Sequence, residues 1–296
     1  MLDGRIAIVT GAGGGLGRSH AKYLARHGAR VVVNDFAGEA AEQVAAEIVA
    51  DGGEAMAFAS SVTDEAGVAK MVAETLDRWS RIDILINNAG ILRDKSFAKM
   101  SLDDFRLVVD VHLMGAAICT KAVWEAMRAQ NYGRIVMTTS SSGLFGNFGQ
   151  SNYGAAKMAL VGLMQTLALE GQKYNIRVNC LAPTAATGMT ADILPPESLD
   201  LLAPEKVSPG LLLLTTDDAP TRAILCAGAG HFAASHITLT EGGFVGSGDD
   251  AGEELIRRWQ EISDRSGELV PQAGFTQGQR EVLSATAQAS PQSSSG

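Results

Sequence analysis

Near the N-terminus, the stretch TGAGGGLG at Thr10–Gly17 restricts the folds open to this chain more than any other. A short apolar run, Arg5 to Val9, precedes it, and a helical pattern from Arg18 to His27 follows. Next come RVVVN, from Arg30 to Asn34, and then Asp35. Strand, glycine-rich turn, helix, second strand and terminal acid form the opening of a dinucleotide-binding βαβ unit. Side chains at the turn would hold the backbone away from a pyrophosphate, which rests on the N-terminus of the following helix. Gly11, Gly15, Leu16 and Gly17 are therefore candidate cofactor contacts. Asp35 can accept hydrogen bonds from an adenosine ribose and would repel a 2′-phosphate, so the spacing favours NAD over NADP. Glycines that merely packed helix on strand would leave the acid unexplained.

The alternation continues. Glu39 to Ala50 reads as a helix stopped by Gly52-Gly53, Ala55 to Ala59 as a strand, and Asp64 to Trp79 as a helix. Asp83 to Ile86 is a strand leading into Asn87-Asn88-Ala89-Gly90. Ser101 opens a capping-box-like S-x-x-D before a long helix through Met127. A strand from Ile135, a helix from Tyr153, a strand from Arg177 to Leu181 and a turn at Pro183 follow. A lid-like stretch spans Thr184 to Pro204, a helix lies near Glu205 to Leu214, and Ile224 to Ala227 closes as the last strand. Such repetition predicts an α/β fold: a Rossmann-type, doubly wound parallel sheet in a single domain with a C-terminal extension.

The predicted organisation is a dinucleotide-binding and catalytic domain over 1–248, a helical appendage over 249–270 and a disordered Gln/Ser/Ala tail over 271–296. Asp249 and Asp250 can cap the appendage helix, and Leu255, Ile256, Trp259 and Ile262 share one face. That stripe is expected to clasp its own domain or to lie across a substrate pocket. A content of 46% hydrophobic residues over 296 residues suits one large globular domain. The formal charge of -9 argues against nucleic acid or an anionic membrane surface as a partner. No apolar run approaches the roughly 20 residues needed to span a bilayer. Cys119, Cys180 and Cys226 read as reduced core thiols in a cytoplasmic setting, and no metal site is expected.

A second constellation lies at SSSGLFGNFGQSNYGAAK, from Ser140 to Lys157. Tyr153 and Lys157 stand four apart ahead of a helical run, and side chains at i and i+4 share a face. A free phenol, with a pKa of about 10, is a poor base at neutrality. A neighbouring ammonium would lower that pKa and make a proton acceptor suited to an alcohol. Taken alone, such a pair is common on solvated helix faces. Here a buried strand from Ile135 to Thr139 runs into a hydroxyl-rich turn closed by Gly143, so a serine at the strand end could bond the reacting oxygen.

Together, Thr10-Gly11…Gly15…Gly17, Asn87-Asn88-Ala89-Gly90, Ser140, Tyr153 and Lys157 resemble the short-chain dehydrogenase/reductase family over about the first 246 residues. NNAGILRDKSFAKM, VHLMG, NYGRIVMTTSSSGLFGNFGQSNY and LAPTAATGMT are similar to one branch, the (3R)-hydroxyacyl-CoA dehydrogenase unit of peroxisomal multifunctional enzyme type 2. That branch implies oxidation of a 3-hydroxyacyl-CoA with NAD, with hydroxysteroid or terpenoid alcohols as the alternative. A silent dinucleotide-binding protein is the remote one. The resemblance implies Ser140, Tyr153 and Lys157 as the catalytic set, Ser140 because it lies three before Gly143. It places Asn88, Ala89 and Gly90 against the cofactor, Lys157 on the nicotinamide ribose, and Pro183 to Thr190 on the nicotinamide side. Members commonly pair the helices matching 102–127 and 153–169, which implies a homodimer or homotetramer.

Three positions depart from the family pattern. His112 stands where most members have Asn, as in the multifunctional branch, and a core role satisfied by backbone is expected for it. Ser60-Ser61 replaces the usual Asp before Val62, so adenine recognition is expected to rest on Ser61 and Val62 through backbone groups. Thr184 replaces the common Gly after Pro183. No peroxisomal address is legible in the terminal SSSG, and a free-standing cytosolic version is expected.

Overall fold

The computed structural model describes residues 1–186 and 199–289. The chain divides into two compact units, Met1–Ser235 and His236–Gly296, a boundary earlier than the composition shift at Gly248. In the first unit an 8-stranded sheet has the order β3-β2-β1-β4-β5-β6-β7-β8. Its strands are β1 (Ile6–Thr10), β2 (Arg30–Asp35), β3 (Glu54–Ala59), β4 (Ile84–Asn87), β5 (Gly133–Thr138), β6 (Ile176–Thr184), β7 (Ile224–Gly228) and β8 (His231–Ser235). Every neighbouring pair is parallel except β7 with β8.

Strands buried on both faces read as unbroken apolar runs. In β1, Ala7 and Val9 enter one core while Ile6 and Ile8 enter the other; in β4, Ile84 and Ile86 oppose Leu85 in the same way. One core is covered by α1 (Gly15–Arg26), α2 (Gly38–Ala50) and α8 (Gly210–Thr215). The other lies under α3 (Glu65–Trp79), α5 (Gly115–Ala129) and α7 (Ser151–Gly171). The doubly wound expectation is thereby met. Strand order reverses between β1 and β4, and in open sheets that reversal opens a crevice at the C-terminal strand ends.

The long helix expected from Ser101 is interrupted. Ser101 caps α4 (Leu102–Val109), accepting the Asp104 N–H at 3.0 Å, and a π-helical turn over Asp110–Met114 joins α4 to α5. The continuous segment Leu102–Ala129 is long and apolar enough to cross a membrane by length and composition. Its Ala116, Cys119, Val123 and Met127 are buried in the core against the sheet, and Val108 is buried too. The helix expected near Glu205 is a short 3₁₀ turn, Pro204–Lys206, followed by α8.

Strand β8 has no counterpart in the sequence reading. Ala229 (φ 53°) and Gly230 (φ 78°) make a two-residue turn that pairs Gly228 with His231. Alanine carries no signal for a positive φ, so this hairpin is hidden in the sequence. At the opposite end of the sheet, the fully buried Asp83 accepts from Arg5 (3.1 Å), Arg81 (2.8 Å) and the Ile6 N–H (2.9 Å). That edge is closed by ion pairs, leaving the C-terminal edge for a site.

In the second unit, α9 (Ala251–Arg257) and α10 (Trp259–Ile262) are separated at Arg258, so the expected single stripe is split. Asp250 stands at the N-cap without a side-chain capping bond. A helix, α11 (Phe275–Ala289), occupies a stretch whose composition predicts disorder. Its Gln, Ala, Arg and Glu content is low in complexity yet rich in good helix formers. Leu239 and Leu269 form an antiparallel bridge within this unit.

Candidate functional site

Gly15, Leu16 and Gly17 lie in α1 and Tyr153 and Lys157 in α7; the other described candidates lie at or just beyond the C-terminal end of a strand. Gly11 follows β1, Asp35 ends β2, Ser61 and Val62 follow β3, Asn88-Ala89-Gly90 follows β4, Ser140 follows β5, and Pro183 lies near the end of β6. Thr190 lies outside the described residues.

At the glycine turn, chain segments approach too closely for side chains. A Cβ on Gly17 would collide with the Gly11 carbonyl oxygen, and one on Gly11 would lie 2.7 Å from the Ala89 α-carbon. The turn is stitched to the end of β4. Thr10 Oγ1 accepts from the Asn88 and Ala89 N–H groups (3.0 and 3.1 Å) and lies 3.3 Å from the Ile86 carbonyl oxygen, to which it donates. Asn88 Nδ2 donates to the Thr10 and Gly11 carbonyls (2.9 and 3.1 Å), so its amide is structural. Leu16 packs against one sheet core, leaving its backbone to the turn.

A dinucleotide fits this cradle. No side chain caps α1, and a Cβ on Gly14 would meet nothing within 4 Å, so the first N–H groups of α1 are open to a phosphate. Asp35 accepts from the Gly13 N–H through Oδ2 and from the Ala37 N–H through Oδ1, each at 3.0 Å, which fixes its carboxylate. Both oxygens retain capacity for ribose hydroxyls. Val62 is buried, and Gly115 leaves room for it, since a Cβ there would lie 2.5 Å from Val62 Cγ2. The Ser61 hydroxyl is engaged with Thr63 at 2.8 Å, consistent with backbone rather than side-chain recognition at that corner.

The second half of the site is built where β5 meets α7. Thr139 Oγ1 donates to the Lys157 carbonyl (2.7 Å), and Lys157 Nζ donates to the Thr138 carbonyl (2.6 Å). Ser140 caps α6 (Ser141–Phe145), its Oγ accepting the Ser142 N–H at 3.2 Å, and its hydroxyl is near enough to the Tyr153 phenol to act on its pKa. Ser140 is buried whereas Ser141 is exposed. Gly143 has a packing reason: a Cβ there would lie 2.8 Å from Lys157 Cβ and 2.9 Å from the Met158 nitrogen. Asn152, not singled out by sequence, is fully buried, donating to the Arg93 carbonyl (3.1 Å) and accepting the Tyr153 N–H (2.7 Å). A buried amide on an apolar helix face was its only signal.

The electrostatics correct one expectation. Burial raises the Tyr153 pKa above its ordinary 10.0; the neighbouring Ser140 hydroxyl pulls it down, and Asp94 pushes it up. Lys157 is not among the groups that lower it. The ammonium is committed to the Thr138 carbonyl and lies 5.5 Å from the Tyr153 ring centroid, and burial lowers its own pKa to about 7. A half-neutral lysine supplies only part of the charge that would favour a phenolate.

His112 sits in the π-helical turn, where such insertions cluster at functional positions. Its Nε2 lies 2.8 Å from the Ile91 carbonyl oxygen and 3.0 Å from the Ile91 nitrogen, while buried Nδ1 has no partner among the described residues. Burial, reinforced by Lys157, lowers its pKa to about 3, so the ring is neutral near pH 7. It meets the Tyr153 ring edge-on at 5.2 Å and fills the space a side chain on Gly90 would need. Pro183 pairs with Ala227 of β7 beyond the last residue of β5, where a missing N–H costs no ladder bond. Cys119 and Cys180 are buried thiols raised to about 12, and no cluster able to hold a metal occurs among the described residues.

The chain belongs to the short-chain dehydrogenase family, whose model matches residues 5–197. It is accordingly an oxidoreductase acting on a CH–OH group. A putative short-chain type dehydrogenase/reductase of Mycobacterium tuberculosis is 46% identical over 284 residues, covering 93% of this chain and 98% of the relative. Peroxisomal multifunctional enzyme type 2 of Mus musculus is 44% identical over 92% of this chain, which spans 38% of that enzyme. Among solved structures, full-length peroxisomal multifunctional enzyme type 2 from Drosophila melanogaster matches with a TM-score of 0.83 and 37% identity, covering 98% of this chain and 51% of that one. A 7α-hydroxysteroid dehydrogenase complexed with NADH and 7-oxo glycochenodeoxycholic acid matches with a TM-score of 0.73 and 30% identity, covering 77% of this chain and 94% of that one. A nicotinamide cofactor thus agrees with both fold and cradle.

The buried ammonium has a measurable cost. With its pKa lowered from 10.5 to about 7, folded Lys157 binds fewer protons than the unfolded residue between those values. Its penalty to folding therefore grows as pH falls from about 10.5 to about 7. Lys157→Met should stabilise the cofactor-free protein at pH 7 by about 1–3 kcal/mol, after the lost Thr138 bond is offset, and by much less at pH 10. Thermal melts at both pH values check this; a lower Tm at both would mean that the ammonium stabilises the fold.

Proposed function

We propose that the chain is an NAD-dependent dehydrogenase that oxidises a hydrophobic secondary alcohol, with a (3R)-3-hydroxyacyl-CoA as its substrate and the 3-oxoacyl-CoA as product. The observation that carries the chemistry is the placement of Ser140 at the end of β5 beside Tyr153 of α7, with Lys157 Nζ held behind them by the Thr138 carbonyl. The acyl-CoA assignment rests on likeness to multifunctional enzyme type 2. A hydroxysteroid is the second reading, favoured by the likeness to 7α-hydroxysteroid dehydrogenase.

Ser140 orients the carbinol oxygen, and its short turn, pinned at Thr139 and Gly143, fixes that oxygen in front of Tyr153. Tyr153 takes the hydroxyl proton as general base. The nicotinamide of bound NAD supplies the hydride acceptor for the carbinol C–H. Lys157 holds the nicotinamide ribose, and Asp35 the adenosine ribose. His112 positions the Ile91 backbone beside Gly90. The unpaired thiols fit a cytoplasmic enzyme. Absorbance of NADH formed with a panel of 3-hydroxyacyl-CoA thioesters and steroid alcohols tests the reading; no NADH from any of them would leave a silent binding protein.

Tyr153→Phe should lower kcat by at least about 10²-fold, the scale of general-base contributions, while NAD still binds. Turnover near wild type would move the base elsewhere. Asp35→Ala combined with Phe36→Arg should shift preference towards NADP, because the repelling carboxylate goes and an exposed position gains a cation. Equal use of both cofactors by the wild type would overturn the NAD assignment. Exposed Leu107, Met114, Met158 and Leu169 on α4, the π turn and α7 leave more apolar surface than a lone subunit needs. We infer a homodimer or homotetramer, and a strictly monomeric mass by light scattering at micromolar concentration would contradict it.

A further inference from the structure

Three large aromatic side chains stand in solvent on the segments that flank the Ser140–Tyr153 pair. Phe97 is 73% exposed, Phe145 72% and Phe148 90%. Single exposed apolar residues are ordinary, but aromatics concentrated beside a candidate site mark a binding surface. Phe145 ends α6, the short helix that Ser140 caps, and Phe148 lies in the loop between α6 and the Tyr153 helix. Phe97 comes from the segment between β4 and α4.

These segments are fastened to each other. The Lys95 N–H donates to the Gly149 carbonyl (2.9 Å), and Gln150 Nε2 donates to Asp94 (2.6 Å). Asn152 Nδ2 donates to the Arg93 carbonyl (3.1 Å), and the Ser142 hydroxyl donates to Gln150 Oε1 (2.7 Å). The aromatic-bearing loops therefore form one hydrogen-bonded rim. Gly146 and Gly149, with φ of 80° and 81°, set the turn that carries Phe148 outward.

Resting on the acyl-CoA reading above, we propose that Phe97, Phe145 and Phe148 form the apolar rim that receives the hydrocarbon chain of the substrate, so that this enzyme selects long acyl chains. The occupant is the substrate because the rim is continuous with the residues that hold its reacting oxygen. Phe145 closes the short helix that Ser140 caps, and Phe148 sits in the loop that leads into the helix of Tyr153. Rim contacts of this kind contribute affinity in proportion to the apolar area they cover, so a longer chain gains more from them.

The test is calorimetric titration of palmitoyl-CoA and butyryl-CoA, together with NADH formation from the corresponding 3-hydroxyacyl-CoA thioesters. The proteins are the full chain and the variants Phe148→Ala and Phe97→Ala/Phe145→Ala/Phe148→Ala. The wild type should bind palmitoyl-CoA at least about tenfold more tightly than butyryl-CoA, and the triple variant should lose that preference, with Phe148→Ala between them. Light scattering should show the same mass for all three. An unchanged preference in the triple variant, or no preference in the wild type, overturns the rim. A drop in mass with the preference intact also overturns it and assigns the aromatics to a second copy of the chain. Chain-length preference in binding without NADH formation sustains the rim while sinking the dehydrogenase reading, so the two fail separately.

Discussion

Everything at the C-terminal edge of the sheet depends on one close approach, the Gly11 carbonyl against the α-carbon of Gly17. It lets α1 begin directly over the end of β1, so that uncapped N–H groups face the crevice where the strand order reverses. Thr10 and Asn88 then transmit that geometry sideways. One hydroxyl and one amide tie the glycine turn to the end of β4, which sets the Ala89-Gly90 backbone. Gly90 in turn leaves room for His112, and His112 meets Tyr153 edge-on. The cofactor cradle and the hydroxyl pair are thus linked by contact through backbone and glycine.

The second half is held by the same device. Gly143 allows α6 to press on α7 at Lys157, and Thr139 and Lys157 exchange bonds with the facing backbone. Ser140 lies inside that bracket as the cap of α6. A buried ammonium is an expensive component, and its hydrogen bond to a carbonyl offsets only part of the desolvation. Its persistence under nearly complete burial is the kind of stability cost that accompanies a functional position.

Much of this was legible in the sequence because the deciding residues are glycines and hydroxyls with narrow structural tolerance. The βαβ opening and the acid that ends its second strand rest on contacts that exclude other side chains. Other features were not legible. The β7–β8 hairpin turns on Ala229 at a positive φ, which alanine does not advertise. The π-helical turn at Asp110–Met114 has no signature in hydropathy period, and the helix Phe275–Ala289 was masked by a polar, repetitive composition. Nor does the i, i+4 spacing of Tyr153 and Lys157 reveal that the ammonium is drawn to Thr138, since that choice depends on the strand end opposite.

The contrast between the two kinds of contact explains why the class of chemistry can be read where the substrate cannot. On the proposed reading, the atoms that would hold the reacting oxygen and the dinucleotide are backbone groups or side chains locked in hydrogen bonds, and small changes there break several contacts at once. The aromatic rim is different. Phe97, Phe145 and Phe148 stand largely in solvent, so no internal packing rule fixes their identity. A loop that is anchored at both ends by backbone hydrogen bonds can exchange such side chains without disturbing Ser140 or Tyr153. Selectivity can therefore drift while the proton-accepting geometry stays fixed.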